Sequence, residues 1–243
     1  MAGGRMGEFI RLADEKLQAM IDPDYQEKIK VFVPGQANVM GVRVPDLRKL
    51  AKELYKEYRD ITMDELFELM DDALVPEVKR EHFMLTVFVL SEIKNFSRDE
   101  KLWREINKWG DCLIDWEMTD QLGGVIVGEC VAEDLSKSET LMQWTKSDHV
   151  WKRRLALIAT ISCNKKKRKN AEIAIDISRE LMEDEHPMIY KAVGFALREA
   201  CRAGGEKEVF DFLLSVKDKA CPKTITESMK KLSEKEQAIL TGK

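Results

Sequence analysis

Apolar residues recur at three- and four-residue steps through nearly every long segment of the chain, as in Leu47, Leu50, Ala51, Leu54 and Tyr55. That spacing stacks side chains on one face of an α-helix. Strands would need alternating runs bounded by Asn-Gly or Asp-Gly turns, and none is present. The pattern predicts an all-α protein.

Self-similarity turns that class into an architecture. Three segments open on proline and continue as amphipathic helices: PEVKREHFMLTVFVL from Pro76, PMIYKAVGFALREA from Pro187 and PKTITESMKKL from Pro222. Proline suits the first helical position, where its missing N–H would be unpaired anyway. PDLRKLAKEL from Pro45, WEMTDQLGGVIVGE from Trp116 and VWKRRLALIAT from Val150 align with them, giving spacings of 31, 40, 34, 37 and 35 residues. Such spacing suits HEAT-type helix pairs, each too small to bury its own apolar stripe. The expectation is an α-α superhelix, or solenoid, of about six HEAT-like repeats with a concave surface, forming a single domain over 1–243. Residues 1–30 form an N-terminal helical cap and 230–243 a C-terminal tail.

Four residues on from each start stand Lys49, Arg80, Asp120, Arg154, Lys191 and Thr226. In register they form a column, four members basic and one a carboxylate, and like charges in a row are costly unless an anion lies among them. A polyanion backbone is the natural occupant. Between Val150 and Asn170 lie eight basic residues, Lys152, Arg153, Arg154, Lys165, Lys166, Lys167, Arg168 and Lys169, and no acid, whereas Asp60–Asp72 holds six acids and no base. The run NKKKRKN reads as a turn between helices that grips phosphates, or else as a solvated loop.

Composition narrows the classes. The 243 residues carry 44 Asp+Glu against 40 Lys+Arg, a net charge of −4, so a nucleic-acid reading rests on where the cations sit. No stretch approaches the roughly 18 apolar residues of a membrane span, and the N-terminus has no apolar run of a secretory signal. A cytoplasmic protein is expected. Five cysteines with no C-x-x-C pair and no histidine at ligand spacing argue against a disulfide framework or zinc site.

The segments GVRVPDLRKLAK (Gly41–Lys52), DWEMTDQ (Asp115–Gln121), VWKRRLAL (Val150–Leu157) and IYKAVGFALREA (Ile189–Ala200), in this order around a W-x-x-x-D, resemble the AlkD-like DNA alkylation repair family of HEAT-like-repeat DNA glycosylases. The resemblance runs from about Phe32 to about Leu213. It implies that Asp120 is the catalytic carboxylate, Trp116 an aromatic wall and Arg154 the groove arginine. Phe195 takes the place of a second wall, commonly Trp, and Asp115 stands where the family often has another Trp. The implied partner is duplex DNA containing alkylated bases, bound by a monomer that needs no metal, cofactor or membrane.

Chemistry supports those assignments. A purine alkylated at N3 or N7 is already cationic and leaves without a general acid. Bond breaking makes the sugar oxocarbenium-like, and a fixed carboxylate such as Asp120 stabilises it by about 3–4 kcal/mol, or roughly 100–1000-fold in rate. Trp116 and Asp120, at i and i+4, share a helix face. Aromatic faces attract positive charge, each by roughly 0.5–2 kcal/mol. Lys191 and Phe195 repeat the i, i+4 arrangement. Lys49, Arg80, Arg153, Trp151, Lys165, Lys166 and Lys167 complete the expected DNA contacts, and Arg80 and Arg154 would keep Asp120 ionised if they approach it. Against these stand plainer readings. Asp120 could form a simple inter-repeat ion pair, Phe195 could belong to the core, and the chain could be a non-catalytic binder of damaged or branched DNA or a HEAT-type protein scaffold.

Overall fold

The computed structural model describes residues 2–33, 38–75, 77–165 and 170–242. Every regular element among them is helical. The chain divides into two compact units, Met1–Val125 and Ile126–Lys243.

The first unit contains α1 (Ala2–Ala19), α2 (Pro23–Phe32), α3 (Val44–Glu57), α4 (Met63–Leu74), α5 (Arg80–Glu92), α6 (Glu100–Asp111) and α7 (Trp116–Leu122). Helices pack on the next but one, α1 on α3, α3 on α5, α5 on α7 and α4 on α6, with α4 also against α5. Two layers of alternate helices result, as stacked helix pairs require. Short-range chemistry sets the starts. Thr62 and Glu65 form a capping box at α4, and Asp99 caps α6 by accepting the Leu102 N–H at 2.7 Å. Helix α5 is enclosed on nearly all sides, Phe83 to Leu90 being buried, which is why its sequence lacks a clean polar face.

The second unit repeats the plan with α8 (Gly128–Glu133), α9 (Ser138–Trp144), α10 (Val150–Cys163), α11 (Ala171–Arg179), α12 (Pro187–Arg202), α13 (Glu206–Val216), α14 (Pro222–Ser228) and α15 (Glu234–Thr241). One layer stacks α8, α10, α12 and α14, and the other holds α9, α11, α13 and α15. Glycine decides how close these helices come. A methyl on Gly128 would lie 2.6 Å from the Ala159 carbonyl oxygen of α10, and one on Gly194 of α12 would lie 2.5 Å from the Cβ of Glu227 in α14.

The helix starts expected at 45, 116, 150, 187 and 222 fall within a residue of those observed. The start expected at Pro76 does not: that residue lies outside the described ones, and α5 begins at Arg80 after Lys79 turns to bond the Ala73 carbonyl at 2.7 Å. The segment expected as a cap over 1–30 carries α1 and most of α2, and the 230–243 segment carries α15. Between α7 and α8 the chain passes through a π-helical turn, Gly123–Val127.

Candidate nucleic-acid interface

Helix α7 is short, and its entry is tightly defined. Asp115 is its N-cap, with Oδ1 accepting the Met118 N–H at 2.7 Å and its carbonyl accepting the Thr119 hydroxyl at 2.6 Å. Trp116 follows at the first helical position. Its indole N–H donates to the Phe32 carbonyl at 2.9 Å, and its ring packs with Tyr25 against a cluster of Ile29, Val33 and Val39. Asp120 lies one turn on, half-buried, on the same helix face. Gln121 beside it accepts a 2.6 Å bond from Arg48, whose guanidinium also sits 4.2 Å from the Phe88 ring centroid.

Arg80 is not where the repeat register puts it. Because α5 starts four residues late, Arg80 is its first residue and is fully buried. Its Nε donates to Asp115 Oδ2 at 3.1 Å, Nη2 to Glu117 Oε2, and Nη1 approaches Glu81 Oε1 at 3.4 Å. A side chain with no exposed surface cannot hold a phosphate, so its expected DNA contact is withdrawn. Burial pulls the guanidinium's pKa down, but the three carboxylates outweigh it and hold the pKa above its usual value. Burial pushes the Glu117 carboxyl up; Arg80 opposes the shift, while Asp115 and Glu81 add to it. Asp115, standing where the resemblance leads one to look for a tryptophan, is thus the partner of a buried arginine.

Lys49 is exposed on α3. The reading of the sequence missed Tyr25 and Arg48. Tyr25 lay in the segment taken as a cap; Asp22, Pro23 and Tyr25 carry the local signal of a helix start, with Asp22 Oδ1 accepting the Tyr25 N–H at 3.0 Å. Arg43 stacks 4.4 Å from the Tyr25 centroid. Burial, then Glu117, raises the phenol's pKa. The acid-only stretch is also less negative than it reads, since Asp60 pairs with Arg5, Asp64 with Lys101 at 2.6 Å, and Asp71 with Lys108.

In the second unit the helix-borne cations of α10 are largely spent on protein. Arg154 is only 7% exposed and donates to the Met188 carbonyl at 2.7 Å. Arg153, half-buried, bonds Asp184 at 3.0 Å and the Ser147 and Asp148 carbonyls at 2.8 and 3.0 Å. Lys152 is buried, its ammonium 5.9 Å from the Trp144 centroid. Trp151 and Phe195 are half-buried, and Lys191 and Lys165 are exposed. Lys166 and Lys167 lie outside the described residues. Of the residues in the expected column, Lys49 and Lys191 are exposed, Asp120 is half-buried and Arg154 is buried. Trp109 is fully buried and Trp144 nearly so.

Among the described residues no group of three or more His, Cys, Asp or Glu side chains could hold a metal ion, and no helix is long and apolar enough to cross a membrane.

The family model described as DNA alkylation repair enzyme matches residues 13–232. None of the curated proteins matches the chain. Among solved structures, a predicted DNA alkylation repair enzyme from Enterococcus faecalis aligns with TM-score 0.71 and 18% identity over 88% of this chain and 97% of its own. AlkD2 from Streptococcus mutans aligns with TM-score 0.58 and 17% identity, over 84% and 98%.

Proposed function

This chain belongs to the DNA alkylation repair enzyme family, and on that premise we propose that it is a DNA glycosylase that excises cationic N3- or N7-alkylated purines from duplex DNA. The observation that carries the reading is the pairing of Trp116 and Asp120 on one face of a short helix whose entry is capped and ion-paired. Asp120 stabilises the oxocarbenium-like sugar as the base leaves and orients the attacking water. Trp116, with Tyr25 on the same apolar cluster, offers aromatic faces to the positive charge. The charge on the base makes a general acid unnecessary. Within the first unit the exposed Lys49, and within the second the exposed Lys191 and Lys165, are the cations available to backbone phosphates.

The test is release of N7-methylguanine from methylated duplex. Wild-type protein should release it, and Asp120→Asn should do so roughly 100–1000-fold more slowly at similar duplex affinity. Equal release by both proteins would remove the carboxylate from the mechanism. Duplex binding without release by the wild type would favour a non-catalytic binder of damaged DNA.

A further inference from the structure

Helices α2 and α7 meet directly at Trp116, whose indole N–H takes the Phe32 carbonyl. The same two helices are joined a second time through the interior. Asp115, the N-cap of α7, and Glu117 within it both reach Arg80, and Arg80 reaches Glu81. Glu81 Oε1 accepts the backbone N–H of Gly41 at 3.0 Å. The Gly41 carbonyl in turn accepts the N–H of Asp22, the N-cap of α2, at 3.3 Å, and the Val39 carbonyl accepts the Gln26 side-chain amide at 2.6 Å. Gly41 has φ +90°, and a Cβ there would fall 2.6 Å from that of Gln26, so the segment fits against α2 only as glycine.

Such an arrangement is costly. Three carboxylates share one guanidinium, and among the described residues Glu81 Oε2 is buried with no hydrogen-bond partner. Apolar side chains of similar volume often stabilise an interior at least as well as a buried ion cluster does. A planar guanidinium fork can address several oxygens in fixed directions, which neither apolar packing nor a lysine ammonium does. We propose that Arg80 is a positioning residue: by tying Asp115 and Glu117 to Glu81, it sets the spacing of α2 and α7 and thereby the stance of Trp116 relative to Tyr25 and Asp120. The catalytic consequence rests on the glycosylase reading; the geometric one does not.

The experiment uses full-length protein labelled with 5-fluorotryptophan, the Trp116 ¹⁹F signal being assigned through Trp116→Phe. In folded Arg80→Lys that signal should shift or broaden more than those of the other tryptophans. Single-turnover release of N7-methylguanine at saturating duplex should fall about 10–100-fold, the scale of an ångström-level misplacement, while duplex affinity holds within about twofold. An unmoved Trp116 signal overturns the proposal. Should Arg80→Lys fail to fold, the double variant Asp115→Asn with Glu117→Gln is read by the same signal, because it removes both charges that tie the start of α7 to Arg80; an unmoved signal there overturns the proposal equally. A displaced Trp116 signal in a protein whose wild type releases no base supports the positioning role and sinks the glycosylase reading instead.

Discussion

Replacing Arg80 with methionine keeps an unbranched apolar stem and removes the guanidinium, so the pH dependence of the loss separates its electrostatic part from lost packing. Asp115 and Glu81, at 1% and 0% exposure, and Glu117 then lose the guanidinium they share. Removing one partner of a buried ion pair costs about 3–5 kcal/mol. The lower end is expected here, since the cluster can take up protons to neutralise itself. At about 2–4 °C per kcal/mol for a chain of this size, the melting temperature at pH 7 should fall by about 6–20 °C. Acid should shrink the deficit. Burial already raises the Glu117 carboxyl above 4.5 and Arg80 opposes that shift, so without Arg80 the deficit that this charge causes is smallest below about 4.5 and grows as pH rises through its folded value. Urea titrations of wild type and Arg80→Met at pH 7 and at about pH 5, followed by circular dichroism, measure both effects. A loss under about 1 kcal/mol at pH 7, or a deficit that does not narrow in acid, would refute the account of Arg80 as the charge that holds this interior together.

Glu117, raised above its ordinary 4.5 mainly by burial, contributes stability that is present below that value and lost as pH rises through its folded value. Glu117→Gln should therefore gain on the wild type between about pH 4.5 and 7; parallel stability curves would count against the shift. Gly128→Ala sets a methyl 2.6 Å from the Ala159 carbonyl oxygen. Overpacking of about 1–3 kcal/mol outweighs a helical gain of about 0.5–1, so thermal melting should show net destabilisation, and a stabilised variant would mean that α8 and α10 can part at little cost. Burial pushes the Cys201 thiol from 9.0 up to about 12. It should resist iodoacetamide near pH 8.5 in native protein and react once denatured, as peptide mapping can show; native labelling at Cys201 would contradict its burial.

Much of the fold was open to reading because its signals are local. Prolines at 45, 187 and 222 act within a turn of where they stand, and the segments from Trp116 and Val150 align with theirs, so five helix starts could be placed from the residues themselves. Trp116 and Asp120 share a helix face for the same reason, a spacing of four. Arg80 shows where this ends. A late start of α5, fixed by a backbone bond from Lys79 to Ala73, moved it from the expected column into the interior.

The alternation of apolar and polar positions determined that the chain is helical, built in pairs, and carries an indole and a carboxylate one turn apart. Tertiary structure alone decided which charges face outward. Arg80 meets Asp115 and Glu117 across 35 and 37 residues, Arg154 meets Met188 across 34, and Trp116 reaches back 84 residues to Phe32. A charge is buried or solvated according to the partners that long-range packing brings to it, and no periodicity within a single helix encodes those partners.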